Sequence, residues 1–417
     1  MEEELNHSSL NILVVSQYFW PENFRINDLA LELATRGHRV TVLTGEPNYP
    51  EGFISKEFLA DRNKFSNYRG VEVIRVPLIP RGVGSLRLLV NYLSFFLSAC
   101  AFGAWKLRNQ QIDVVLTCQL SPVTVGLPAA LISKIKRVPM AMWVLDIWPD
   151  SVRAVGIVKS PRILSCLEKI VAFIYSRCDL ILAQSISFIP KIQKLSGSKI
   201  PIEYFPSWAE EVFNNKTKIF APEIRIRDEV FNVMFAGNIG EAQDFGCILL
   251  AAELLKEHLN IQWLIVGDGR MMNWVQNQIE FRGLSKNVRL LGRFPVERMP
   301  EFYQHADAML VTLSDQEVFS MTIPGKLQSY LAAGVPILGA LNGEGADVVK
   351  RAKAGFTCPA GDYKELSAIV LKMSRLTLIE RNEMGTNGLN FSKTEFDRTK
   401  LIDKLEFMLK NLASDLV

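Results

Sequence analysis

Val14-Val15-Ser16-Gln17-Tyr18-Phe19-Trp20-Pro21-Glu22-Asn23-Phe24-Arg25 reads as a buried strand that runs into a polar turn and then a helix. In the second half of the chain, Phe235-Ala236-Gly237-Asn238-Ile239-Gly240-Glu241-Ala242-Gln243 repeats that strand-turn-helix order. Each stretch opens a fresh alternation of strands and helices. A chain that starts the same α/β architecture twice is expected to hold its ligand in a cleft between the two copies.

Working outward from the first stretch, short β-branched runs predict strands at Asn11–Ser16, Arg39–Thr44, Val71–Val76, Val114–Thr117, Met140–Leu145 and Leu180–Ala183. Between the first two lies Ile26–Arg36, apolar at helical spacing and closed by Gly37-His38, a C-cap signal. Strands separated by helices pair in parallel through right-handed crossovers, so a doubly wound sheet is expected, with ligands beyond the strand C-termini. The pattern fades between Pro206 and Glu229, through Trp208, Asn214, Asn215, Lys216, Lys218 and Pro222. It resumes with strands at Asn232–Ala236, Gln262–Val266, Val288–Leu291, Ala308–Val311 and Val335–Leu338, and a helix through Ala251–Leu255. These breaks divide the chain into residues 1–208, a linker over 209–229, a second domain over 230–390 and a terminal helix over 391–417. Phe396, Leu401, Ile402, Leu405, Met408 and Leu409 make that last segment amphipathic, and it is expected to cross back to brace the first domain.

Composition narrows the function classes. The 417 residues suffice for two domains of ordinary size, and 48% hydrophobic with 22% charged residues describes a globular protein. A net charge of +3 implies no polyanion partner and no nucleic acid. Six cysteines (Cys100, Cys118, Cys166, Cys178, Cys247, Cys358) form no CxxC pair and the four histidines are scattered, so no metal is expected. Glu2, Glu3 and Glu4 before an apolar strand have the wrong sign for a secretory signal, which points to the cytoplasm.

One segment qualifies that reading. Leu88–Trp105 (LLVNYLSFFLSACAFGAW) is nearly continuous apolar sequence, flanked by Arg81 and Arg87 before it and Lys106 and Arg108 after. Its length sits at the lower edge of a membrane span of about 20 residues. A strand follows too promptly for a span. Two readings remain, a core helix of the first domain and an interfacial helix with cations at the lipid phosphates.

Several turns after strands carry candidate chemistry. Gly267-Asp268-Gly269 permits close backbone approach, though any turn of this kind uses glycine, and a structural role is the better reading. Gly292-Arg293-Phe294 sets a cation and an aromatic where a nucleotide base and its phosphates would sit; an exposed loop arginine explains it equally well. Ser314-Asp315-Gln316-Glu317 through Pro324-Gly325-Lys326 is the densest polar cluster of the second half. Pro324 and Gly325 at a helix start leave N–H groups open to an anion, and Lys326 adds a positive charge. In Trp143–Ser151, Asp146 is expected to face the ligand and Asp150 to cap a helix, with Trp148 as a platform for a sugar ring. Gly45-Glu46-Pro47-Asn48-Tyr49-Pro50 reads equally as a rigid two-proline loop or as part of a site.

SQYFWPENFRINDLA, RGHRVTVLTGEPNYPEG, WVLDIWPDS, FAGNIGEAQ, VGDG and IPGKLQSYLAAGVPIL together make the chain resemble a retaining glycosyltransferase of the GT-B type, family 4, along essentially its whole length. Within that family it resembles bacterial O-antigen, capsule and colanic-acid enzymes that move fucosamine- or fucose-type sugars. The resemblance implies two Rossmann-like domains facing a cleft, with a nucleotide-diphosphate sugar on the second and a polyprenyl-linked saccharide acceptor on the first. It implies no cofactor or metal, with the diphosphate neutralised by protein groups, and a peripheral place on the inner face of the plasma membrane. By this likeness Asp146, Glu317 and Lys326 are the catalytic candidates. Asn238, Gly240, Gln243, Arg293, Phe294, Pro324, Gly325, Lys326 and Ser329 are donor-binding candidates. Glu22, Asn23, Arg25, Asn48, Tyr49 and Trp148 stand on the acceptor side.

The chain departs from the family pattern in three places. An Arg/Lys pair usual after the first strand of the second domain is replaced by Asn238 through Gln243, so Lys326, Arg293 and Arg25 are expected to carry the charge. The family's two glutamate positions fall on Met321 and Ser329, with Glu317 as a substitute for the first. Glu22-Asn23 replaces a glycine pair. Two other functions fit the same architecture, a 2-epimerase acting on a free nucleotide sugar and a non-catalytic nucleotide-sugar sensor.

Overall fold

The computed structural model describes the whole chain except residues 1–8, 83, 155, 157, 198, 215–218, 226–229 and 415–417. Glu2, Glu3, Glu4, Asn215, Lys216, Lys218 and Glu229 therefore lie outside the described residues. The chain forms two compact units, Met1–Pro206 with Thr399–Val417, and Ser207–Arg398.

The first unit is built on eight strands: β1 (Asn11–Val15), β2 (Arg39–Gly45), β3 (Asn67–Tyr68), β4 (Val71–Val76), β5 (Val114–Gln119), β6 (Met140–Val144), β7 (Leu180–Ala183) and β8 (Ile202–Tyr204). Their order in the sheet is β3-β4-β2-β1-β5-β6-β7-β8. Every pairing is parallel except the β3–β4 hairpin. β5, β6 and β7 are buried at every position, as parallel strands covered on both faces must be, and this is why β6 and β7 read as unbroken apolar runs. β3 and β8 escaped the pattern because both are short and lie at the sheet's edges, where burial leaves little periodicity. Strand order reverses at β1, which bonds β2 on one side (Val14 opposite Val42) and β5 on the other (Val14 opposite Leu116). The crevice for a ligand in such a sheet lies at this reversal, beyond the carboxyl ends of the strands.

The second unit holds β9 (Phe231–Ala236), β10 (Ile261–Val266), β11 (Val288–Gly292), β12 (Ala308–Thr312), β13 (Ile337–Ala340) and β14 (Gly355–Cys358). All pair in parallel in the order β11-β10-β9-β12-β13-β14, and the reversal here is at β9. Its core joins Phe235, Trp263, Ile265 and Leu310 from the sheet to Phe245, Ile248 and Leu249 of the helix Phe245–Leu254. The described part of the stretch after Pro206 is packed, with no secondary-structure period. Trp208 is fully buried, Phe213 stacks on Tyr303 at 5.2 Å, and Gln328 donates to the Ser207 carbonyl at 2.8 Å.

The amphipathic tail is two helices. Leu378–Glu395 ends at Phe396, and Arg398–Ser414 packs on the first unit through buried Leu401, Ile402, Leu405 and Leu409. Arg36 holds it by ion pairs to Asp403 at 2.5 Å and Glu406 at 3.0 Å, and Lys404 pairs with Glu203 at 2.9 Å.

Candidate active site

On the second unit the site is organised around the end of β9. Gly237 and Gly267 stand so close that a Cβ on Gly267 would collide with the Gly237 carbonyl. A Cβ on Gly269 would likewise strike the Ile239 carbonyl. The Gly267-Asp268-Gly269 turn thus lets two strand ends approach backbone to backbone, a structural role. Gly237 N–H donates to Val266 and Ile239 N–H to Asp268, fixing the turn that follows β9.

Lys326 reaches into that turn. It is the second residue of the helix Gly325–Ala333, whose first residue Gly325 is exposed and whose N-cap is Pro324. Its Nζ lies 3.8 Å from the Phe235 ring centre, and a Cβ on Gly237 would come within 3.3 Å of it. The Nζ atom is buried and has no hydrogen-bond partner among the described residues. Burial pulls its pKa down to about 7. An ammonium stripped of water and left unpaired is costly, so the position is suited to an incoming anion beside an open helix start.

The other donor-side candidates are arranged around this point unevenly. Asn238 is exposed and its amide lies over Gly240 and Gly269. Gln243 gives its carbonyl to Thr312 Oγ1 at 2.5 Å, while its own Oε1 is buried and unpartnered among the described residues. Arg293 is exposed at the end of β11, two strands from β9, or about 10 Å. Phe294 is engaged already: Phe302 packs on it at 4.5 Å and the Arg298 guanidinium sits 5.3 Å from its centre. Glu317 opens the short helix Glu317–Ser320 and faces outward. Ser329 donates to Glu210 at 2.9 Å, a carboxylate that comes from the segment after Trp208 and that sequence reasoning did not pick out.

On the first unit, the turns after β1, β2, β5 and β6 each contain a cis prolyl bond, at Pro21, Pro50, Pro122 and Pro149. Glu22 is buried and its Oε1 accepts the backbone N–H groups of Asn48 at 2.7 Å and Tyr49 at 2.6 Å. Burial pushes its carboxyl up to about 7 against those hydrogen bonds. Asn48 is consumed in turn, donating to the Glu46 carbonyl and accepting from Arg81 N–H and Asn91. These two acceptor-side candidates knit the loops together. Asn23 is exposed, Arg25 half-buried at the start of the helix Arg25–Thr35. Tyr49 packs against Tyr18 and Phe24, with the Arg81 guanidinium 5.1 Å from its ring.

Asp146, after β6, accepts from Trp148 Nε1 and Ser151 Oγ, both at 3.1 Å, and burial raises its carboxyl to about 6 despite them. Trp148 is buried and meets Tyr92 edge-on at 6.3 Å. Asp150, expected as a helix cap, opens the helix Asp150–Ala154 with its carboxylate on Lys191 at 2.7 Å.

The apolar segment is the helix Ser85–Ser98 continued by a π turn over Ala99–Gly103 and a last turn to Lys106. Leu86–Lys106 is long and apolar enough to cross a membrane by length and composition, a test that core helices also pass. One face is packed: Leu88, Asn91, Phe95, Ala99 and Gly103 are buried. The other carries Leu86, Leu89, Leu93, Leu97, Phe102 and Trp105, all exposed. The π turn inserts one residue between Leu97 and Phe102 and so keeps this stripe in line.

Comparison with known proteins agrees with this architecture. Residues 216–391 match the family described as glycosyl transferases group 1, and residues 23–208 match the glycosyl transferase 4-like domain. The chain is 25% identical over 342 residues to WcaI of Escherichia coli strain K12, a protein named for a glycosyl transferase of colanic acid biosynthesis. That match covers 78% of this chain and 82% of WcaI. Among solved structures, HepE of Anabaena in complex with UDP and glucose superposes with a TM-score of 0.68 at 16% identity, over 96% of this chain and 99% of HepE. WaaG, a glycosyltransferase involved in lipopolysaccharide biosynthesis, gives 0.67 at 15% identity, over 96% and 99%. Two parallel-sheet units of Rossmann type form a GT-B fold.

Proposed function

We propose, for a chain that belongs to the group 1 glycosyl transferases and carries a glycosyl transferase 4-like domain in its first half, that it moves a sugar from a nucleotide-diphosphate donor to a lipid-linked saccharide in the assembly of a surface polysaccharide. The observation that carries the donor reading is Lys326, whose buried Nζ has no hydrogen-bond partner among the described residues and stands at the open start of a helix. Departure of a nucleoside diphosphate builds negative charge on the leaving oxygen. Lys326 and the Gly325 N–H would stabilise that charge, with Arg293 and the Gly240 turn nearer the nucleotide. Protein groups in this role make a metal unnecessary. The reaction would then retain anomeric configuration, the nucleotide leaving from the face the acceptor approaches. Asp146 and Glu317 would position sugar hydroxyls, and a hexose derivative of the fucosamine or fucose type is the sugar we expect. The UDP complexes of HepE and the polysaccharide pathways named for WcaI and WaaG support this reading.

A lipid-linked acceptor has to be met at the bilayer, on its cytoplasmic face. The exposed stripe from Leu86 to Trp105 supplies the apolar contact. Arg87 and Lys106 flank the stripe, and Arg108 covers Trp105 at 4.5 Å, where lipid phosphates would lie. The test is incubation of the purified protein with labelled nucleotide sugars and a membrane extract. Label in an organic-extractable product is the expected result. Isomerised free donor would establish an epimerase instead, and binding without turnover a sensor.

A further inference from the structure

The helix of the apolar stripe has a fixed direction. β4 and β5 point the same way, through their parallel pairing with β2 and β1. The segment joining them therefore leaves the carboxyl edge after Val76 and returns to the amino edge before Val114. Leu86–Lys106 spans 21 residues, or about 30 Å of helix. Its Leu86 end stands at the edge where the crevice lies, and its Trp105 end at the opposite edge. A lipid-linked saccharide carries a diphosphate between its prenyl chain and its sugar. With the chain on the stripe and the sugar at the carboxyl edge, that diphosphate has one place to lie, the corner at Leu86.

Two guanidiniums meet at this corner. Gly82 N–H donates to the Gly52 carbonyl at 2.8 Å, closing the loop after β2 onto the loop after β4. Beside Gly82, the Arg81 guanidinium lies 5.1 Å from the centre of the Tyr49 ring, which packs on Tyr18 and Phe24 after β1. Arg87 folds back over Gly82, where an added Cβ would lie 2.9 Å from its Nε. Neither arginine has a carboxylate partner among the described residues, whereas Arg36, Arg62, Arg282 and Arg298 each have one. Glu51, on the first of these loops, is exposed and makes no ion pair among the described residues. From Arg81 to Leu145 the chain has seven Lys and Arg and one carboxylate, Asp113, which accepts from Asn11. Phe53, next to Gly52, and Leu86, next to Arg87, are 61% and 76% exposed and add apolar surface to the same corner.

We propose that Arg81 and Arg87 bind the diphosphate of the lipid-linked acceptor, with its first prenyl units against Phe53 and Leu86 and its sugar directed to the crevice beyond β1. A guanidinium fork meets two phosphate oxygens at once, so a pair of them matches a diphosphate. Both residues bind and position the acceptor; no bond is made or broken on them. The inference rests on the acceptor reading above and gives that acceptor its anion site. Lys106 and Arg108, about 30 Å away at the far end of the helix, cannot share this diphosphate and are left for the phosphates of the surrounding bilayer.

Farnesyl diphosphate is the probe, titrated into the full chain with excess UDP present to fill the anion site of the second unit. Arg87 is exposed, so Arg87→Gln should keep the wild-type melting curve while its dissociation constant for the probe rises about tenfold. Adding Arg81→Gln should bring the rise to about 100-fold, and Arg87→Lys should recover part of the single loss. Phe53→Ser should weaken farnesyl diphosphate and leave inorganic pyrophosphate unaffected. Lys106→Gln with Arg108→Gln should weaken flotation with phosphatidylglycerol vesicles at wild-type affinity for the probe. In transfer assays, Arg87→Gln should raise the acceptor KM with the donor KM unchanged. Wild-type affinity in the double arginine variant would overturn the proposal, as would a wild type that does not bind the probe. Equal losses from the two ends of the helix would show a diffuse effect of charge and overturn it as well. If the probe binds through the arginines but no lipid-linked saccharide is glycosylated, the anion site stands and the transfer reading falls.

Discussion

The Tyr330 hydroxyl clasps both backbone groups of Ala236, accepting from its N–H and donating to its carbonyl, each at 2.9 Å. β12 pairs with β9 only at Val233 and Met234, so the last residue of β9 faces no strand on that side. Tyr330 takes the missing strand's place and holds the strand end from which the Gly237 turn departs. Lys326 lies one helical turn earlier on the same face.

Replacing Tyr330 with phenylalanine strands a buried donor and a buried acceptor together. We expect a loss of about 2–4 kcal/mol from the second unit's stability, read by chemical denaturation, and weaker binding of UDP. Unchanged stability would show that the clasp contributes nothing.

Lys326 predicts a pH signature. Its pKa of about 7 in the folded protein lies below the ordinary lysine value, because burial disfavours the charged form. The unfolded chain therefore binds more protons between about 7 and 10.5, and this residue's penalty to stability is relieved as pH rises through that window. UDP binding above pH 7 should take up a proton, weakening by up to about tenfold per pH unit. Calorimetry in buffers of different ionisation enthalpy measures that uptake. Lys326→Met should abolish it, fold normally, and lower turnover by about 100-fold or more. A pH-independent affinity in wild type would remove Lys326 from the anion site.

Glu22 should give the opposite shape. Its carboxyl is raised to about 7 by burial, so its contribution to stability is full below about 4.5 and is lost as pH rises through about 7. Glu22→Gln keeps an oxygen for the Asn48 and Tyr49 amides and does not ionise. Stability of the variant should be flatter between pH 5 and 8 than that of wild type, at roughly the scale of 1–3 kcal/mol. Identical profiles would mean that Glu22 does not titrate in this range.

For the apolar stripe, Leu93→Asp with Leu97→Asp should abolish flotation with vesicles containing anionic lipid and leave the circular dichroism and melting curve unchanged. Both side chains are exposed, so nothing in the fold depends on them. Flotation of the double variant at the wild-type level would place the membrane contact elsewhere.

How much of this could be read along the chain follows from the range of the forces involved. Parallel strands were legible because burial on both faces favours an unbroken apolar run, as in β6 and β7, whereas β3, β8 and β14 sit at edges and left no such trace. The helix that carries Lys326 was legible because Pro324 and Gly325 mark its start locally. Glu22 and Asn48 were read as acceptor-side groups from residue type and the family likeness. The hydrogen bonds that Glu22 accepts from the Asn48 and Tyr49 amides became visible only once β1 and β2 lay side by side.

The sequence by itself determined the two α/β units, most of their strands and the helix that carries the lysine, since local periodicity and turn chemistry suffice for these. Only the tertiary structure decided which polar groups are spent and which remain. Gln17 meets Asn91 across 74 residues and Tyr330 meets Ala236 across 94. Burial turns a missing partner at Lys326 from a neutral fact into an energetic cost that a ligand can relieve.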